Sequence, residues 1–78
     1  MKEVKIYTTP VCSYCKMAKD LFQKNNIQFT EYNVATDVKA REEMVQRSGQ
    51  LGVPVIFVND DIVVGFDREK LSRLLEIK

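Results

Sequence analysis

Ile6-Tyr7-Thr8-Thr9-Pro10-Val11-Cys12-Ser13-Tyr14-Cys15-Lys16-Met17-Ala18 contains a change of period. Upstream, Glu3 to Thr8 alternate. Val4 and Ile6 share one face and Tyr7 takes the other, which predicts a strand. Thr9 and Pro10 break it. Downstream, Met17, Ala18, Leu21 and Phe22 recur at helical offsets, which predicts a helix from Ser13 to Lys24 with one apolar face. Two cysteines separated by two residues stand where the strand gives way to the helix.

The rest of the chain continues the same alternation of elements. Asn25 and Asn26 end the first helix. Ile27 to Val34 read as a strand, with Ile27 and Phe29 alternating with Gln28 and Thr30. Asp37 is a good N-cap for a second helix. Arg47 suits that helix's last turn, and Gly49 suits a left-handed C-terminal residue. Pro54 precedes Val55-Ile56-Phe57-Val58, a run with the length and branching of a buried strand. Asn59, Asp60 and Asp61 form a polar turn, and Ile62-Val63-Val64 give the last strand of a hairpin. Gly65 and Phe66 lead to Asp67, a second N-cap, and the final helix is expected to bury Leu71, Leu74 and Leu75. The order is βαβ, then α, then ββα. This predicts an α/β fold with a mixed four-stranded sheet and three helices. The first two strands are parallel through a right-handed crossover.

Composition narrows the function. The chain has 78 residues, 45% hydrophobic and 29% charged, which fits one folded domain over residues 1–78 with a thin core. Its 12 Lys and Arg against 11 Asp and Glu leave a net charge of +1, with no basic stripe for nucleic acid and no pull toward an anionic membrane. No apolar run reaches the length of a membrane span. The opening MKEVKIYTTP mixes charges into its apolar residues and offers no signal-peptide core, so a cytoplasmic, monomeric protein is expected.

The chemistry rests on two cysteines in a chain without histidine. A structural disulfide gains most from closing a long loop, and a Cys-x-x-Cys pair closes a short one. Zinc takes four ligands, and no second cysteine pair or histidine exists to complete a set. Two ordinary buried cysteines remain the plain reading. The position at a helix start favours redox chemistry instead. A helix N-terminus presents unpaired N–H groups and partial positive charge, which favour the reactive thiolate. Cys12, ahead of the helix, is read as the exposed nucleophile. Cys15, one turn further in, is read as a buried thiol that resolves the mixed disulfide. Lys16 and Lys19 either add positive potential or are simply solvated. Met17 is read as core.

Tyr7-Thr8-Thr9, Cys12-Ser13-Tyr14-Cys15, Gly52-Val53-Pro54 and Val64-Gly65-Phe66-Asp67 occur in an order that resembles the glutaredoxin family of the thioredoxin-like fold. The likeness is close to the short glutaredoxin-like redoxins of anaerobic bacteria. The resemblance implies a dithiol disulfide reductase with glutathione as co-substrate and no tightly bound cofactor. It implies a cis Val53–Pro54 bond, with the Val53 backbone pairing with a substrate or glutathione. On the residues alone, Pro54 equally starts a strand. Tyr14 would line the site. Gly65, Phe66 and Asp67 would receive the γ-glutamyl end of glutathione, although Asp67 equally caps its helix. Ser13 stands where many members have proline, so it and Lys16 are candidates for tuning the redox poise. Thr9, the uncharged Gln50-Leu51-Gly52 and Phe66 also depart from the family pattern. These departures point toward redoxins recharged by thioredoxin reductase that donate electrons to ribonucleotide reductase. A further alternative is a 2Fe–2S cluster held between two subunits, which Ser13 permits.

Overall fold

The computed structural model describes residues 3–50 and 52–77. Strand β1 (Val4–Thr8) leads into helix α1 (Ser13–Lys24), strand β2 (Thr30–Asn33) and helix α2 (Val38–Ser48). The chain then forms the hairpin of β3 (Val55–Val58) and β4 (Asp61–Val64) and ends in helix α3 (Arg68–Leu75). The sheet has four strands in the order β2-β1-β3-β4. β1 and β2 are parallel, with α1 as their crossover. β3 runs antiparallel to both β1 and β4. This is the architecture that the period changes predict.

Alternation along the central strands divides the core in two. Val4, Ile6, Ile56, Val58 and Val63 face α1 and α3, where they meet Ala18, Phe22 and Leu71. Tyr7, Val55 and Phe57 face the other side and pack with Val34 and with Ala40 and Met44 of α2. Phe22 and Phe29 pack as tilted rings with centroids 5.3 Å apart, and Tyr7 contacts Tyr32 and Phe57 at 5.0 and 5.2 Å.

Local signals set the element ends. The Asp37 carboxylate accepts the Ala40 N–H at 3.0 Å, and Asp67 accepts the Lys70 N–H at 3.1 Å. Gly49 takes the left-handed conformation (φ 72°) and donates its N–H to the Val45 carbonyl at 2.8 Å. Asn59 (φ 54°) turns the β3–β4 hairpin, and Asp61 joins β4 by pairing with Val58 instead of belonging to the turn.

Three further sequence expectations change. β2 is shorter than Ile27 to Val34. Its register sets Thr30 against Lys5, so Ile27 and Gln28 fall beyond the start of β1 and have no strand to pair with. Ile27 and Phe29 pack against the core from a loop instead. Met17 is 48% exposed, not core. The buried face of α1 is Cys15, Ala18 and Phe22, and two residues of helical rotation from Cys15 carry Met17 to the far side. In α3 only Leu71 is fully buried, while Leu74 and Leu75 flank the core.

Removal of the Phe22 ring leaves a void at the centre of the α1–sheet contact. Phe22→Ala is expected to cost about 3–5 kcal/mol in urea denaturation followed by circular dichroism. Met17→Ala, on the exposed face, is expected to change stability by less than about 0.5 kcal/mol.

Candidate active site

The C-terminal end of β1, the N-terminal end of β3 and the C-terminal end of β4 lie at one end of the sheet. The registers Tyr7 to Val55 and Val55 to Val64 place Thr8, Pro54 and Gly65 level with one another. The loop from Thr9 to Cys12 closes on itself, because the Cys12 N–H donates to the Thr9 carbonyl at 3.3 Å.

Cys12 is the N-cap of α1, in extended conformation (φ −95°, ψ 108°). Its Sγ accepts the Cys15 N–H at 3.1 Å, doing with sulfur what a serine or aspartate oxygen does at other helix starts. The first turn of α1 carries no acidic residue to compete with negative charge on that sulfur. Cys12 is half-buried and Cys15 is 1% exposed, and both thiols are free. Burial, followed by the hydrogen bond with Cys12, pushes the Cys15 thiol up to about 12. The Thr9 backbone and the Lys19 charge oppose that rise. The two cysteines therefore sit in different surroundings, one half-buried at the helix start and one in the core.

The other predicted residues lie on the first turn of α1 or at the same end of the sheet. Ser13 opens α1 and is exposed, as is Lys16. Tyr14 is 61% exposed, and Val11 and Met17 join it as bare apolar side chains next to Cys12 in sequence. The Val53–Pro54 peptide is cis, with Pro54 buried and Val53 half-buried. Gly65 (φ 80°) donates its N–H to the Pro54 carbonyl at 2.8 Å, which ties the β4–α3 loop to the proline. The half-buried Phe66 side chain packs against the core on the α1–α3 face. Asp67 uses one carboxylate oxygen as a cap. Gln50 and Gly52 are exposed, and Leu51 lies outside the described residues. Among the described residues, no group of three or more His, Cys, Asp or Glu side chains is placed to hold a metal ion. No described helix is long and apolar enough to cross a membrane.

One cluster was not legible in the sequence. The Thr8 hydroxyl and the Lys19 ammonium both donate to Oε2 of Glu31 at 2.8 Å. The hydrogen bond from Lys19, then that from Thr8, holds the Glu31 carboxyl below its ordinary range. Lys19 is therefore ion-paired, not simply solvated. Nothing in the spacing of Thr8, Lys19 and Glu31 marks them as partners, because parallel pairing of β1 and β2 brings them together.

Comparisons with known proteins bear on the family and the fold. The glutaredoxin family model matches residues 4–63. An uncharacterized glutaredoxin-like 8.6 kDa protein in the rubredoxin operon of Clostridium pasteurianum is 47% identical over 73 residues, 94% of this chain and 97% of that one. Glutaredoxin 3 of Escherichia coli K12 is 39% identical over 67 residues, 86% of this chain and 81% of that one. The crystal structure of a thioredoxin-like protein superposes with a TM-score of 0.93 at 31% identity, covering 100% of both chains. A glutaredoxin from Archaeoglobus fulgidus superposes with a TM-score of 0.86 at 28% identity, covering 96% of this chain and 87% of that one. The architecture is thus a thioredoxin-like fold.

The buried thiol gives a pH test of stability. Unfolding exposes Cys15 and returns its thiol from about 12 toward the ordinary 9.0. Below pH 9 the thiol is neutral in both states and its contribution is intact. Above it the unfolded chain loses a proton that the folded chain keeps, so stability falls as pH rises toward 12. Between pH 7 and 10 the reduced protein is expected to lose about 1 kcal/mol more than Cys15→Ser, read from urea midpoints. Tyr7, which burial and then Glu43 push up from 10.0 to about 12, adds its loss above that window.

Proposed function

The chain belongs to the glutaredoxin family of thiol–disulfide oxidoreductases, and on that premise we propose that Cys12 and Cys15 form the dithiol couple that reduces protein or glutathione mixed disulfides. The observation that carries this reading is the 3.1 Å hydrogen bond from the Cys15 N–H to Cys12 Sγ at the start of α1. An N–H donor at a helix start favours negative charge on the sulfur that accepts from it.

The reaction follows in two displacements. Cys12 thiolate attacks one sulfur of the substrate disulfide, forming a mixed disulfide and releasing the first thiolate. The Cys15 thiol loses its proton to solvent and attacks Cys12 Sγ. The Cys12–Cys15 bond forms, the second substrate thiolate leaves, and both released thiolates take up protons. Two electrons pass from the dithiol to the substrate. Burial keeps Cys15 protonated and out of the first step. The spacing of one helical turn brings it back for the second.

Glutathione suits the surroundings as co-substrate. The backbone of Val53, ahead of the cis peptide, offers strand-like pairing to an extended peptide. The Gly65 N–H is already committed to Pro54, so the γ-glutamyl carboxylate would be received by the N–H groups of Phe66 and Asp67 at the start of α3. Tyr14 would cover one side. A second reading replaces glutathione with thioredoxin reductase as the source of electrons. The neutral Thr9 and Gln50 favour it, since the glycine carboxylate of glutathione then lacks a cation on those two residues.

Both readings are tested by assaying wild type, Cys12→Ser and Cys15→Ser with glutathione and with thioredoxin reductase plus NADPH. Cys12→Ser is expected to lower turnover at least about a hundredfold with every reductant. Cys15→Ser is expected to abolish reduction of protein disulfides while sparing part of the turnover of glutathione mixed disulfides. Full activity in Cys12→Ser would overturn the proposal. Turnover with only one reductant selects between the readings.

A further inference from the structure

We propose that Lys19, held in place by Glu31 and Thr8, is a positioning residue for the second displacement, setting how readily Cys15 attacks the mixed disulfide at Cys12. The inference rests on the dithiol reading above.

The geometry has three parts. Lys19 lies one helical turn after Cys15, so the two side chains share a face of α1 with their Cβ atoms roughly 5–6 Å apart. The Lys19 ammonium is fixed by Glu31 Oε2 at 2.8 Å instead of ranging through solvent. The Thr8 hydroxyl, on a residue only 2% exposed, donates to the same oxygen at 2.8 Å. Thr8 ends β1 and is followed directly by Thr9, whose carbonyl receives the Cys12 N–H. One carboxylate therefore links the end of β1, strand β2 and the cysteine-bearing helix.

A surface ion pair by itself contributes little to stability, in the range of about 0–1 kcal/mol. Its place beside the buried thiol gives it a different consequence. The Lys19 charge favours a thiolate at Cys15, against burial and the neighbouring Cys12, which disfavour it. The Glu31 carboxylate restrains the same charge. The two members of the pair thus act on the second displacement with opposite sign. The first displacement depends on Cys12 and its cap and is left nearly unchanged.

The test is a single-turnover reaction of the reduced protein with 5,5′-dithiobis(2-nitrobenzoate). The reagent's disulfide is attacked by Cys12, releasing one thionitrobenzoate. Cys15 then displaces the second from Cys12 and closes the Cys12–Cys15 bond. The two releases are read as two phases by stopped flow. Lys19→Met is expected to slow the second phase about threefold or more, since a rise in thiol pKa lowers thiolate fraction faster than it raises nucleophilicity. Glu31→Gln is expected to accelerate the second phase, and Lys19→Arg to keep it within about twofold of wild type. The first phase is expected to stay within about twofold in all three. A plain structural tie predicts that Lys19→Met and Glu31→Gln change the second phase in the same direction or not at all, and either result would overturn the inference. A wild-type protein that shows no second phase overturns the dithiol reading and this inference with it.

Discussion

β1 is the constraint on which the molecule depends. It is paired along both edges, parallel to β2 and antiparallel to β3, and Val4, Ile6, Tyr7 and Thr8 are buried along it. A strand in that position cannot end in open solvent. It ends where the sheet ends, and a parallel neighbour requires a helix to carry the chain back. The start of α1 is thereby fixed at the sheet's edge, beside the first residues of β3. The Cys12 cap, the cis proline and the Gly65 loop meet there because three strands finish at the same level, not because any of them attracts the others.

Two layers of packing hold that edge still. α1 and α3 cover one face through Phe22, Ala18 and Leu71, and α2 covers the other through Met44 and Ala40. Arg47 lies 4.6 Å over the Phe57 ring, closing the α2 side with a cation on an aromatic face. The site end carries fewer side-chain ties. Its order comes from backbone bonds, Cys12 to Thr9 and Gly65 to Pro54, and from the Glu31 carboxylate reaching from β2. The apolar side chains of Val11, Tyr14 and Met17 are exposed on the loop from Thr9 to Cys12 and the first turns of α1.

Much of this was legible in the sequence, for reasons that separate local from distant effects. Asp37, Asp67 and Gly49 announced their helix ends because a cap is decided by a few adjacent residues. The unequal placement of Cys12 and Cys15 followed from one turn of helix at a strand end. The length of β2 was hidden, since it depends on where β1 begins, more than twenty residues earlier. Met17 was misplaced because Met17, Ala18, Leu21 and Phe22 fit two overlapping faces, and only contact with the sheet chooses between them. Phe66 read as part of a binding loop, and its half-buried ring also packs against the core. The Glu31 cluster had no signal at all, as its members sit on three elements and look like ordinary surface charges.

A helix capped by sulfur differs from one capped by oxygen in one respect. A serine or threonine hydroxyl cap carries the same charge in every redox state of the molecule. The Cys12 Sγ accepts the Cys15 N–H strongly as a thiolate and weakly once its charge is gone, whether by protonation or by bonding to another sulfur. The first turn of α1 thus responds to the charge on that sulfur. The amide proton of Cys15 serves as a built-in gauge of it, and its magnetic shielding records the state of the sulfur without any added probe.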